Sequence, residues 1–208
     1  KHGRREMLEW CDKAYDHVQE LDKEFSDWLC VPRSVRTTSI KPSGTVSLLN
    51  GSTPGIHYPE AEYYIRRIRF SVGNVILKAI EEAGYHVEKD AYSPNTMVAS
   101  FPVHEPFFQK GKSEATMWEQ LEIAAAYQHY WADNSVSVTV TFNGDEAKDI
   151  KTALEMYESR LKAVSFLRFQ ETGYEQAPYE PITKEQYEEM SKNITPIDRI
   201  ETEEQGAG

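Results

Sequence analysis

Cysteine is almost missing from this chain: Cys11 and Cys30 are the only two in 208 residues. Two are too few for a disulfide scaffold or a zinc site. Both are expected to pack on a helix face, where free cysteines commonly lie. A cytoplasmic location is the matching expectation. Long apolar runs are missing too, and none approaches the ~18 residues of a membrane span. Lys1 to Arg5 leads into a charged stretch rather than an apolar leader, so neither export nor a membrane partner is expected. Positive charge is in deficit. The net charge of −11 argues against a nucleic-acid partner, whose phosphates would be repelled. The histidines stand at no metal-ligand spacing, so no metal is inferred. There is no Gly-x-Ser-x-Gly elbow and no Gly-x-Gly-x-x-Gly fingerprint. Asp133 and Glu105 have no visible partner, and surface or capping roles are expected of them rather than acid–base catalysis.

What remains is a chain with enough apolar residues, 39%, for one domain or a large piece of a bigger one. Residues 5–30 read as an amphipathic helix. Trp10, Ala14, Val18, Leu21, Phe25, Trp28 and Leu29 recur every three or four residues in one stripe, which needs a partner surface, inside the chain or outside it. Val35 to Ile40 reads as a strand. Tyr63 to Phe70 reads as a strand or a helix end, with Arg66, Arg67 and Arg69 on a solvated face or at a phosphate. Ser71 is expected to cap a helix over 72–83 that Gly84 closes. Met97 to Val103 is a strand stopping near Pro102. Ser113 is expected to cap a helix over 114–132. From Asn134 to Phe142, Val136, Val138, Val140 and Phe142 alternate with Ser135, Ser137, Thr139 and Thr141. The hydroxyl face would line a polar barrel interior or lie on an edge in water. A helix over 146–161 and a strand from Ala163 to Phe169 follow. This order gives an α/β fold with crossover connections. From Gln170 onward ten acidic residues face Lys184, Lys192 and Arg199, a balance of −7. The division expected is 1–170 as the folded part and 171–208 as an irregular acidic tail, with a short helix over 183–190 and disorder over 201–208.

The candidate site is the turn Lys41, Pro42, Ser43, Gly44, Thr45 and Val46. Pro42 and Gly44 bend the backbone, Ser43 and Thr45 offer hydroxyls, and Gly44 admits close approach to the main chain. A helix over 45–50 would present unpaired amides there, which attract phosphate, with Lys41 adding charge. A capped strand-to-helix turn with no ligand reads the same way. It is not a Walker loop, since the Gly-Lys-Ser/Thr ending is missing.

Two stretches carry a resemblance. Arg36-Thr37-Thr38-Ser39-Ile40-Lys41-Pro42-Ser43-Gly44-Thr45-Val46-Ser47-Leu48-Leu49, with Gly51-Ser52-Thr53-Pro54-Gly55-Ile56-His57-Tyr58-Pro59, resembles the adenosylcobalamin-dependent class II ribonucleoside-triphosphate reductases. Trp131-Ala132-Asp133-Asn134-Ser135-Val136-Ser137 resembles a strand entry of ribonucleotide reductases in general. The resemblance covers roughly residues 5–200 and points to the C-terminal portion of the enzyme. It implies the second half of a ten-stranded α/β barrel, in which Pro42-Ser43-Gly44-Thr45-Val46 holds the phosphates of a ribonucleoside triphosphate. It also implies adenosylcobalamin in the complete enzyme and a thioredoxin-like reductant. Ser165-Phe166 stands where class I relatives carry a tyrosine pair for radical relay, which favours class II; Tyr63-Tyr64 lies elsewhere. The family's Asn-Pro-Cys-Gly-Glu-type loop and redox cysteine pair are absent from this chain. No catalytic residue is therefore assigned. The chain alone is expected to bind but not reduce, and to need the N-terminal portion that carries those cysteines. The alternative is a non-catalytic nucleotide-binding or interaction module that keeps the fold.

Overall fold

A computed structural model describes residues 3–44, 46–47, 51–169 and 175–197. The fold is α/β, in two compact units: Lys1–Tyr58 with Lys112–Gln170, and Pro59–Gly111 with Glu171–Gly208. The expected disorder over 201–208 lies outside the described residues. No described helix is long and apolar enough to cross a membrane.

The first unit opens with α1 (Arg4–Leu29), which ends where Cys30 turns left-handed at φ 54°. The chain then runs extended through residues 35–41 without forming the expected strand. The reason lies in its pairing. Asn134 N donates to Thr38 O (3.2 Å) and Ser137 N to Ile40 O (3.0 Å). One side advances two residues and the other three, so no regular ladder forms. α3 (Met117–Tyr130) starts later than expected. Its cap is Thr116, not Ser113: the Thr116 hydroxyl accepts from Glu119 N and the Glu119 carboxylate accepts from Thr116 N, a capping box. β4 is only Thr139–Phe142, because residues 134–138 have the irregular extended segment beside them. A 3₁₀ stretch (Gly144–Asp149) runs into α4 (Ile150–Tyr157), so the helix expected over 146–161 is part 3₁₀ and stops at Tyr157, where residues 158–160 turn. The chain returns as β5 (Ser165–Arg168), parallel to β4. This β-α-β crossover buries Val136, Val140, Met117, Leu121, Ala124 and Ala153. α3 is Ala-rich on its inner face, so the strand backbone can come close.

The second unit is an antiparallel sheet in the order β2-β3-β1-β6, from β1 (Tyr63–Ser71), β2 (His86–Lys89), β3 (Thr96–His104) and β6 (Tyr179–Pro181). Ser71 belongs to β1 rather than capping a helix, and α2 begins only at Ile76 (Ile76–Glu82). There Asn74 Oδ1 accepts from Ile76 N (3.1 Å). β3 passes Pro102, paired with Ile65, at a place β2 does not reach, so the missing amide leaves no ladder bond unmade. The three arginines of β1 do not gather at one point: Arg69 is exposed, and Arg66 and Arg67 are half-buried. Arg69, Arg67 and Arg66 donate to the carbonyls of Gln176, Ala177 and Pro178 in turn (3.2, 3.0 and 3.2 Å), fastening the returning chain beside β1. Arg66 also lies over the Tyr179 ring at 4.4 Å. The expected short helix is α5 (Lys184–Ser191), capped by Thr183.

In the first unit, Glu122 of α3 receives Arg160, Arg4 and the Tyr157 hydroxyl. The hydrogen bond from Arg160, then that from Arg4, pushes its pKa down to about 2 from 4.5. A depressed carboxylate favours folding above its ordinary pKa, and that contribution fades as pH falls toward the lowered value. Glu122→Gln is therefore expected to be less stable than wild type at pH 7. The gap should close on acidification from about 4.5 to about 2, measured as urea midpoints against pH.

Candidate functional site

The site is built on two extended segments held side by side by Asp133. Its carboxylate accepts from Thr37 N (2.9 Å) and Thr37 Oγ1 (3.1 Å) through one oxygen, and from the Tyr15 hydroxyl (2.9 Å) through the other. The Thr37 hydroxyl accepts in turn from Gln19 of α1 (2.7 Å). Thr38, buried, donates its hydroxyl to Trp131 O and accepts from Asp133 N (3.0 Å). The Asp133 carboxyl is held below the usual range, first by the Thr37 amide, against the opposing effect of burial. Asp133 is therefore a connector between three parts of the chain, not a lone surface acid.

The register set there carries forward. Past the Ile40 bond from Ser137, Lys41 Nζ reaches Ser135 O at 3.4 Å. Pro42, Ser43 and Gly44 are exposed at the end of the segment. Gly44 is left-handed at φ +65°, with open space where a side chain would begin. Only glycine takes this conformation without strain. Val46 N donates to Ser43 O at 3.4 Å, and Ser47 Oγ to Gly44 O at 3.1 Å. Val46 and Ser47 make a 3₁₀ turn; the expected helix over 45–50, and Thr45 itself, lie otherwise outside the described residues.

A second loop supports the turn from behind. A Cβ on Gly55 would lie 3.5 Å from Pro42 Cα and N, so the two turns touch through backbone. His57 ties this loop to the sheet. Thr139 N, the first rung of β4, donates to His57 Nε2 (3.1 Å), which leaves the proton on Nδ1 to be donated to Pro54 O (2.8 Å). Sequence reading assigned His57 nothing, and only its place in a Pro-Gly loop hinted at a structural part.

The hydroxyl face of residues 135–141 is divided. Ser135, Ser137 and Thr139 are half-exposed. Thr141 is buried and gives its amide and hydroxyl to Gln120 Oε1 (2.9 and 3.2 Å), while Gln120 Nε2 donates to Thr141 O (2.8 Å). Gln128, two turns further along α3, serves residues 132–136 in the same manner. Ser165 opens β5 and its amide donates to Val138 O (3.3 Å).

The other candidates lie elsewhere. Glu105 is buried, not superficial, and accepts from Tyr64 (2.8 Å); burial and that bond raise the Tyr64 pKa far above its ordinary value. Cys11 is half-buried, its thiol pushed up by burial, whereas Cys30 is exposed and does not pack. Among the described residues no three His, Cys, Asp or Glu side chains gather as a metal site. A groove of about 1010 Å³ runs along α1 and the end of α3, and the described residues of 41–47 do not line it. The arrangement at 41–47 offers exposed backbone, a hydroxyl and an ammonium. Among its described residues there is no acid or base placed for bond-breaking.

No family model matches the chain. It is 44% identical over 200 residues to a probable adenosylcobalamin-dependent ribonucleoside-triphosphate reductase of Dictyostelium discoideum, covering 94% of this chain and 26% of that protein. It is 44% identical over 195 residues to such a reductase of Euglena gracilis, covering 92% and 27%. In fold it matches a crystal structure of a B-12 dependent (class II) ribonucleotide reductase with a TM-score of 0.85 and 34% identity, over 94% of this chain and 28% of that one. The chain thus spans about a quarter of the length of the curated relatives it matches.

Removing the Asp133 carboxylate leaves the Thr37 amide and the Tyr15 hydroxyl without their acceptor. Asp133→Ala is expected to cost about 1–3 kcal/mol, read from urea unfolding at pH 7. The wild-type advantage should shrink as pH falls through and below the ordinary carboxylate range, since this group's pKa is lowered in the fold. An advantage that grows in acid would be the wrong sign for this network.

Proposed function

Because the chain is homologous to one section of the adenosylcobalamin-dependent ribonucleoside-triphosphate reductases, we propose that it supplies the substrate-phosphate cradle of such an enzyme. Its α/β elements form part of the second half of the reductase barrel. Pro42, Ser43, Gly44, Thr45 and Val46 hold the triphosphate of a ribonucleotide through main-chain amides and hydroxyls, with Lys41 adding charge. The observation that carries this reading is the exposed left-handed turn at Gly44, suspended between the Ser137 bond to Ile40 and the Gly55 backbone. Cradle and reduction are separate tasks. The chain has no Asn-Pro-Cys-Gly-Glu-type loop and only Cys11 and Cys30, both on α1 or at its end. The ribose must therefore react against residues of the remaining, N-terminal portion, with a thioredoxin-like protein as the source of electrons, in the cytoplasm and in the service of DNA synthesis.

Adenosylcobalamin would supply the radical to the complete enzyme. The residues described here do not fit it. The groove along α1 and the end of α3 carries Arg4, Asp12, Asp16, Glu122 and Asp133 among its lining residues, and charges of this density are a poor match for the apolar faces of a corrin. Its contacts would be made by the rest of the enzyme.

Calorimetry with a ribonucleoside triphosphate tests the cradle. Wild type should bind, and Gly44→Val should weaken binding on the order of tenfold, since a β-branched residue resists positive φ. Circular dichroism should remain unchanged. No heat from a folded wild-type sample would overturn the cradle. Binding without deoxyribonucleotide formation, once the complementary portion and adenosylcobalamin are added with a dithiol, would favour the non-catalytic binding module instead.

A further inference from the structure

Helix α1 is amphipathic, and it is turned the opposite way from a helix in a self-sufficient unit. The side facing the rest of its own unit is carried by Leu8, Cys11, Tyr15, Gln19, Asp22 and Ser26, all at least partly buried. It is fastened by polar contacts: Tyr15 to Asp133 (2.9 Å), Gln19 to Thr37 (2.7 Å), and Ser34 N to Asp22 (3.0 Å). About one residue around the helix, some 100°, lies the apolar stripe, and its C-terminal half faces away. Phe25 is 49% exposed, Trp28 69% and Leu29 70%, with Leu21 one turn before Phe25, and Val31 and Val35 past the helix end are exposed as well. Phe25 and Trp28 meet edge to face, ring centres 5.3 Å apart. They form a preset aromatic pair rather than two loose side chains. An exposed apolar run of this extent, built around large aromatics, marks a contact surface.

We propose that this face of α1 docks against the remaining polypeptide of the reductase, through an apolar surface on that partner. The inference rests on the reading of the chain as one section of such an enzyme. Length selects the occupant. The 200 matched residues are 26% of the Dictyostelium discoideum relative, so roughly three quarters of that protein lies outside the match. In the class II crystal structure the same fold, at a TM-score of 0.85, is 28% of a single chain. A helix that grips its own unit by hydrogen bonds and turns its aromatics outward has the pattern of an element shared between two parts of one larger core. A second copy of this chain is the competing occupant, and the test separates the two.

The full 208-residue chain would be co-expressed with the section of the Dictyostelium discoideum relative that it does not match, as wild type and as Phe25→Asp/Trp28→Asp. Wild type is expected to co-purify with that section and to show less acrylamide quenching of tryptophan in the complex than alone. The double variant should lose co-purification by at least about tenfold, yet unfold alone at the wild-type urea midpoint, since the altered side chains face away from their own unit. Equal co-purification of variant and wild type would overturn the proposal. So would a wild-type chain that ignores the section, and so would one that forms a homodimer in sedimentation which the double variant dissolves. The cradle stands or falls separately: it is read from triphosphate binding to the uncomplexed chain. A complex that forms without such binding would sink the cradle and leave the docking face in place.

Discussion

The first unit depends on one carboxylate. Asp133 is short, sits just after α3, and receives donors from two other parts of the chain, α1 and the extended segment at Thr37. Bonds to a charged acceptor are worth about 1.5–3 kcal/mol against about 0.5–1.5 for neutral pairs. A neutral residue here would hold the same geometry less firmly. What Asp133 fixes is register. With Thr37 and Thr38 clamped, Ile40 falls opposite Ser137, and the next residues, 41 to 44, run on as an exposed turn.

Around that clamp the unit uses side-chain amides where a longer sheet would use strands. Gln120 and Gln128 stand eight residues apart, on one face of α3, and each bonds both donors and acceptors of the neighbouring backbone. Residues 132–138 have an irregular neighbour and cannot complete a ladder. Unpaired amides at that depth would each cost on the order of 1–3 kcal/mol. Gln128 meets the Val136 amide and the Ala132 and Asn134 carbonyls, Gln120 meets the amide and carbonyl of Thr141 in β4, and the small side chains of Ala124 and Ala125 let the helix come close enough to reach.

What was legible in the sequence follows the range of the interaction. Val136, Val138 and Val140 alternate, and the alternation correctly marked a buried face. The stripe on α1 was legible as a stripe, and its C-terminal half is exposed. Ser113 reads as the cap of α3, but the cap is Thr116, whose box with Glu119 is a local Thr-x-x-Glu pattern. The roles of Asp133, Gln120 and His57 were not legible, because their partners lie 96, 21 and 82 residues away. No local pattern encodes that. The arginines of β1 looked like a charged face because their acceptors are distant in the chain: the carbonyls of Gln176, Ala177 and Pro178, which leave no mark on a sequence, and the carboxylates of Asp90 and Glu180. The turn at 41–46 was found by its proline, glycine and hydroxyl spacing. The structure adds a reason for Gly44, a positive φ, while Thr45 stays outside the described residues.

The charge of the chain bears on how the proposed cradle must act. A triphosphate approaches a molecule carrying −11, so the overall field repels it. Lys41 offers a single exposed ammonium, and a lone surface charge is screened within about 8–10 Å at physiological salt. Attraction sufficient to hold the ligand must therefore come from short-range donors: main-chain amides and hydroxyls aimed at one point. That demands a backbone held in one conformation before the ligand arrives, because ordering a loose turn would offset the gain. The Asp133 clamp, the Pro42–Gly55 contact and the doubly bonded His57 all act on backbone position, and none of them contributes a charge at the turn. On this reading the polar residues around the cradle act by keeping Gly44 and its neighbours in place, and the anion is recognised by the shape they preserve.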